Sequence, residues 1–268
     1  MGSLIKGVLF MPPKKDHPDE NKIENREYIK TAHGNQIKLI KLIQNPEYLY
    51  MLVSHGNAED VYIVYQWVKN ILSKFVNVNI IMYEYTGYDK QDTLPFSEQF
   101  IYDDADAAFK YMINKLNIPP QRIIIFGRSL GSGPSCYLAE KYDVAGLFLN
   151  SGFMSVYRVA FKFRWTLPGD MFPNIDRIKN IKCPVCIVHS VKDEIIPFYH
   201  AREMYKNSVN KFPPLFIDGT SHNNIDILFH HMLLLHKLVS ILQMDSLVIY
   251  QHLNISLVYK MSYFHLSS

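Results

Sequence analysis

Ile123-Ile124-Ile125-Phe126-Gly127-Arg128-Ser129-Leu130-Gly131-Ser132-Gly133-Pro134 reads as a strand that turns sharply into a helix. Four consecutive apolar residues suit a strand buried on both faces, and Pro134 stands in the first turn expected of the helix that follows. Between them lies G-x-S-x-G. A serine there occupies a strained turn that needs a glycine on each side, because a Cβ would crowd the approaching backbone. An ordinary Gly/Ser turn would explain the small residues but not the strand before them and the helix start after them. The stretch therefore predicts a nucleophile elbow, with the Ser129 hydroxyl at the carboxyl end of a strand.

Outward from this stretch, short β-branched runs alternate with longer segments of helical periodicity, which predicts an α/β fold with a mostly parallel sheet between helices. Strands are expected over 37–43, 49–54, 78–83, 122–126, 146–150, 184–189 and 214–217. Val61, Val64, Val68, Ile71, Leu72 and Phe75 recur at helical spacing, with Asn57 as the expected N-cap. Ile101, Ala105, Ala108, Met112 and Leu116 outline a second helix that Ser97 opens and Pro119-Pro120 closes. A third runs through Phe198, Ala201, Met204, Tyr205 and Val209, and a fourth spans 225–242. Residues 11–26 are rich in Pro, Lys, Asp, Glu and Asn, so the expected organisation is an arm over 1–26, a domain over 27–243 and a tail over 244–268.

A serine hydroxyl is a weak nucleophile until an imidazole takes its proton, and that imidazole must be oriented by an acid on its other nitrogen. On a strand–elbow–helix scaffold both partners follow the serine in the chain, acid first, each just beyond the end of a strand. Asp193 and Glu194 follow the strand over 184–189, and His222 follows the strand over 214–217. Strand-end position cannot separate the two neighbouring acids. Asp218 is close to His222 but reads as a turn-forming residue. His189 ends a strand without the turn that a base requires and reads as structural. His200, His230, His231 and His236 fall in expected helices.

The developing oxyanion needs two backbone N–H donors. Leu130, after the nucleophile, is expected to supply one, and Asn57 the other, from the loop Ser54-His55-Gly56-Asn57-Ala58 between a strand and a helix start. His55 precedes the nucleophile in the chain, and its expected role is to stabilise this loop.

Composition narrows the classes further. A formal net charge of +3, with dispersed basic residues, argues against a nucleic-acid partner and leaves peripheral contact with an anionic membrane surface open. Three cysteines make no disulfide framework, which favours a reducing, cytoplasmic setting. Cys183-Pro184-Val185-Cys186 opens a strand-like run and has no second cysteine pair, so it reads as strand packing and no metal or cofactor is expected. Gly2 invites a myristoylation reading, but Lys6 stands where that motif wants Ser or Thr.

At these positions the chain resembles the α/β-hydrolases, in the branch of the protein depalmitoylases and the bud-emergence (Bem-type) hydrolases, with related parasite esterases. The resemblance covers about 10–241 and is carried by FMPP (10–13), SHGNAED (54–60), GRSLGSGP (127–134), NSGFMSVYRVAF (150–161) and MFPNIDRIKNIKCPV (171–185). HSVKDEIIP (189–197) and GTSHNNID (219–226) complete it. It implies the α/β-hydrolase fold with Ser129, Asp193 and His222 as catalytic residues, and it prefers Asp193 to Glu194. The depalmitoylases it resembles begin with a lipidated cysteine cluster, whereas the first cysteine here is Cys136. Their G-Y-G-x-S segment is replaced by Gly87-Tyr88-Asp89-Lys90-Gln91, so the loop beside the pocket is expected to differ.

Only about thirty residues separate the strand over 146–150 from the next one, which leaves room for a small lid or none. Phe153, Tyr157 and Phe161 follow i, i+4 spacing, with Phe163, Trp165, Leu167 and Met171 nearby. They are expected either to wall an acyl-binding groove, with Phe153, Tyr157 and Trp165 touching substrate, or to pack a helix onto the sheet. The expected substrates are an acylated protein or a small acyl ester, cleaved through an acyl-enzyme. The resemblance points to protein S-depalmitoylation. The alternatives are a general small-ester carboxylesterase and a weakly active, membrane-organising protein of the same fold.

Overall fold

The computed structural model describes residues 13, 17, 23–73, 77–89, 96–161, 165–219 and 221–223. The expected helix over 225–242, the tail over 244–268, most of the N-terminal arm, and His230, His231 and His236 lie outside them. Eight strands form one sheet among the described residues: β1 (Arg26–Lys30), β2 (Gln36–Leu42), β3 (Leu49–Ser54), β4 (Val78–Tyr83), β5 (Ile123–Arg128), β6 (Gly146–Asn150), β7 (Val185–Ser190) and β8 (Leu215–Ile217). Their order is β1-β2-β4-β3-β5-β6-β7-β8. β2 runs antiparallel to β1 and β4, and every pairing from β4 to β8 is parallel.

β3 through β7 read as near-continuous apolar runs because both faces of the sheet are covered. Leu52, Ile81, Ile125, Leu149 and Ile187 share one core cluster, and Met51, Ile80, Ile124, Phe148 and Cys186 share the other. That split is the period of two that sends successive side chains to opposite faces. β1 was not anticipated from sequence. Its Arg-Glu-Tyr-Ile-Lys has only Ile29 buried, and it exists because an edge strand needs one partner, here β2.

Helix α1 (Val61–Trp67) continues as a π-turn over Val68–Leu72, and α2 (Glu98–Lys110) continues likewise over Tyr111–Lys115. Ser97 caps α2 as expected, accepting the Phe100 N–H at 3.1 Å. The cap of α1 is Asp60 rather than Asn57: Asp60 Oδ1 accepts the Ile63 N–H at 2.8 Å, while the Asn57 side chain accepts the Tyr88 hydroxyl at 2.7 Å. A turn at 57–58 delays the helix by three residues. α3 (Ser132–Lys141) follows the elbow, α4 (Val156–Ala160) and α5 (Asn174–Arg177) are single turns, and α6 (Tyr199–Asn207) lies between β7 and β8. α1 packs on one face of the sheet, and α2, α3 and α6 on the other. Val209, expected in the third helix, lies past its end and is exposed.

The parallel direction brings the carboxyl ends of β3, β5, β7 and β8 to one edge. The loops that leave those ends hold Asn57, Ser129, Asp193 and His222. No helix among the described residues is long and apolar enough to cross a membrane.

Candidate active site

β5 stays extended through Arg128, and the chain then turns at Ser129, whose φ of 49° is left-handed. A non-glycine residue in that region is held there by its surroundings. Two glycines permit the turn: a Cβ on Gly127 would lie 2.5 Å from the Gly131 carbonyl oxygen, and one on Gly131 would lie 2.0 Å from that of Ser54. Ser129 is half-buried at the mouth of the turn, and Leu130 behind it is buried.

The loops after β7 and β8 bring two more side chains to the serine. His222 Nε2 is 3.2 Å from Ser129 Oγ, so the hydroxyl can donate to it, and His222 Nδ1 is 2.7 Å from Asp193 Oδ2, to which it donates. His222 and Asp193 are both buried. The other oxygen of Asp193 accepts the amides of Ile195 and Ile196 at 3.0 and 2.7 Å, which fixes the carboxylate and leaves Oδ2 for the imidazole. Burial works against its charge, but the His222 hydrogen bond and charge and the Ile196 amide outweigh it and lower its pKa.

The two neighbouring acids divide the work. Glu194 points to the backbone, where its Oε2 accepts the His222 N–H at 3.1 Å. Asp218 accepts the Gly219 N–H within its own turn and lies in the solvent opposite Lys192. His189 is fully buried, donates from Nε2 to the Ile196 carbonyl at 2.8 Å, and lies 3.4 Å from Asp193 Oδ2, behind the acid. Burial lowers its pKa and favours the neutral ring.

His200 accepts the Met154 N–H on Nδ1 at 3.1 Å, and burial pushes its pKa down to about 4. A histidine depressed in the folded state contributes stability above its unfolded pKa of about 6.5 and loses it as pH falls toward 4. Denaturant unfolding should therefore show roughly 3 kcal/mol lost between those limits through this residue. His200→Asn, whose side-chain oxygen can accept the same amide, is expected to flatten the slope. An unchanged slope would mean that His200 is charged in the folded protein.

The loop carrying Asn57 is fastened from below. His55 is buried, with Nε2 2.9 Å from Glu84 Oε1, Nδ1 2.9 Å from the Gly56 carbonyl, and its ring stacked on Tyr85 at 3.9 Å. Glu84 also accepts the amides of Tyr85 and Val61. Burial opposes a charged ring, yet Glu84 raises the His55 pKa above its ordinary value. His55 is thus engaged by the loop and by Glu84, and the imidazole beside the Ser129 hydroxyl is that of His222. Sequence reasoning passed over Glu84, although a lone acid at the end of the apolar run Val78-Asn79-Ile80-Ile81-Met82-Tyr83 is a signal that a buried partner waits for it.

The expected aromatic wall does not form as one surface. Phe153 is 4% exposed and packs into the core against Phe172. Tyr157 is half-buried, and its N–H donates to Asp170, which with Arg158 forms a buried ion pair. Trp165 is 71% exposed. α4 is too short to carry the i, i+4 spacing beyond one turn, so the three side chains part company. Cys136, Cys183 and Cys186 are all buried, and burial pushes the Cys183 thiol up to about 12.

A family profile described as the alpha/beta hydrolase fold matches residues 50–177. Mouse alpha/beta hydrolase domain-containing protein 17C is 34% identical over 215 residues, covering 80% of this chain and 67% of its own. Caenorhabditis elegans alpha/beta hydrolase domain-containing protein aho-3 is 31% identical, covering 91% of this chain and 79% of its own. The chain spans about two thirds of the length of the mammalian 17C relatives. Among solved structures, a Pyrococcus furiosus esterase aligns with a TM-score of 0.66 at 16% identity, covering 85% of this chain and 96% of that one. An alpha-beta serine hydrolase homologue from Coxiella burnetii aligns at 0.60 and 14%, covering 83% and 98%. At such identities the structural likeness speaks for the fold alone.

Proposed function

Because the chain belongs to the α/β-hydrolase family, we propose that it is a serine hydrolase of acyl esters or thioesters that works through Ser129, His222 and Asp193. The observation that carries this reading is the unbroken hydrogen-bonded series from Asp193 through His222 to Ser129, at 2.7 and 3.2 Å, ending on a serine in a strained turn. Ser129 Oγ attacks the acyl carbonyl while His222 Nε2 takes its proton, and Asp193 stabilises the imidazolium. The N–H groups of Leu130 and Asn57 receive the oxyanion. As the tetrahedral adduct collapses, the carbon–sulfur or carbon–oxygen bond breaks and His222 returns the proton to the leaving group. Water, deprotonated by the same imidazole, then attacks the acyl-enzyme, and the acid is released with Ser129 restored.

The substrate class we favour is a long acyl group on a protein cysteine, with contact at a membrane surface as the setting. Its support is the sequence likeness to depalmitoylases and the exposed apolar side chains: Phe161, Trp165 and Leu167 after β6, and Val191 and Ile195 beside Asp193. Each methylene that such side chains cover contributes at most about 0.8 kcal/mol, or roughly fourfold. In a series of acyl thioesters and matched oxyesters from two to sixteen carbons, kept below their micelle thresholds, kcat/KM is expected to climb twofold to fourfold per methylene. The climb should come mostly through KM, because a remote tail contacts the protein equally in ground and transition states. Trp165→Gln should flatten it while sparing the acetyl substrate. A profile that peaks at acetyl would overturn the long-acyl reading in favour of small esters.

A further inference from the structure

The reaction proposed above needs its two oxyanion donors at a fixed separation, although they come from loops that meet only in the folded chain. β3 and β5 are neighbours, with Ser54 opposite Gly127 in register, so the loop after β3 lies beside the elbow. On one side the contact is backbone against backbone: Gly131 leaves no room for a Cβ against the carbonyls of Ser54 and His55. On the other side it is made by one carboxylate. Glu59 Oε2 accepts the Gly56 N–H at 2.7 Å, and Glu59 Oε1 accepts from Arg128 Nη1 at 2.5 Å.

Gly56 is the residue before Asn57, and Arg128 is the residue before Ser129. The Glu59 carboxylate therefore ties the residue ahead of one donor to the residue ahead of the nucleophile. Both side chains are largely sheltered, at 20% and 15% exposure, where a charge-assisted pair holds its geometry better than at an open surface. The pair closes over Gly56: a Cβ there would lie 2.9 Å from Glu59 Oε2 and 3.0 Å from Arg128 Nη1. Elsewhere the loop is fastened independently, by the Tyr85 hydroxyl on the His55 carbonyl at 2.8 Å and by the Tyr88 hydroxyl on Asn57 Oδ1.

We propose that Glu59 and Arg128 act as a clamp of positioning residues, which sets the spacing of the Leu130 and Asn57 amides and so tunes stabilisation of the oxyanion. The clamp rests on the serine-hydrolase reading. Its signature is selective: a pair that acts only by spacing the two amides weakens the transition state when it is loosened and leaves ground-state binding alone.

The test is a double-mutant cycle of Glu59→Gln, Arg128→Met and the pair in the full chain. It is read as kcat, KM and the inhibition constant of an acyl trifluoromethyl ketone, whose adduct with a serine places an oxyanion in the hole. Removing one donor outright costs 10²–10³ in kcat in a comparable site, so displacing one should cost about 10- to 100-fold. Each single variant should lose that in kcat and a matching factor in ketone affinity, with KM within about twofold, and the double variant should lose little more than the worse single one. Arg128→Lys, which keeps the charge and one donor, should restore part of the loss and covers the case in which the methionine variant does not fold. Unchanged kcat and ketone affinity in Glu59→Gln and Arg128→Lys, beside an active wild type, would overturn the clamp. So would multiplicative losses in the double variant, or a rise in KM with kcat intact. A wild type that neither turns over any acyl substrate nor labels at Ser129 is a different failure: it removes the hydrolase reading and the clamp with it.

Discussion

Ser129→Ala is expected to abolish covalent labelling by a fluorophosphonate and to lower kcat by about 10⁶-fold, the loss seen when a triad nucleophile is removed from a comparable site. The probe phosphonylates a hydroxyl whose proton has somewhere to go and whose adduct oxygen has donors to meet. Ser129 has both, with His222 Nε2 at 3.2 Å and the Leu130 amide next in the chain. The substitution deletes one oxygen atom from a half-buried position and leaves the turn glycines in place, so the fold should survive and the loss is chemical. Mass spectrometry of the labelled chain beside a thermal melt of both proteins reads the two effects separately. Equal labelling of wild type and variant would remove Ser129 from the reaction.

Asp193→Asn should fold normally and lose about 10⁴ in kcat, a magnitude taken from the same change in a protease triad. The geometry explains why so small a change costs so much. Oδ1 of residue 193 accepts the Ile195 and Ile196 amides, so an asparagine is driven to keep its oxygen there and to turn its NH₂ toward His222. Facing a donor, Nδ1 must become the acceptor, the proton moves to Nε2, and the imidazole can no longer take the proton of Ser129. Glu194→Gln should cost about tenfold or less, since the amide oxygen can still accept the His222 backbone N–H. Steady-state rates of the two variants on one acyl substrate decide the matter, and a reversed ranking would shift the acid to Glu194.

The two carboxylates show where reading the chain stops. Asp193 and Glu194 are adjacent, both lie past the end of β7, and both touch His222, one at the ring and one at the backbone. Local pattern cannot separate them, because their difference is a direction set by the amides of Ile195 and Ile196. The helix cap is a similar case. Asn57 and Asp60 are both good N-cap residues, and what chooses Asp60 is the Tyr88 hydroxyl, from a loop more than thirty residues away, engaging Asn57.

The elbow, the order in which Ser129, Asp193 and His222 follow one another past the strand ends, and the parallel sheet that carries them were legible in the chain alone. Each is written in short-range stereochemistry: glycines where a Cβ cannot fit, apolar runs where both faces are covered, and turns after strand ends. The split of the aromatics after β6 between the core at Phe153 and the solvent at Trp165 arises only on packing, since α4 is a single turn and cannot keep them on one face. Only the tertiary structure joined Glu59 to Arg128, 69 residues apart. Such a contact leaves no periodic trace, because each residue taken alone is an ordinary charge that solvent would satisfy equally well, and only the register of β3 on β5 makes them neighbours.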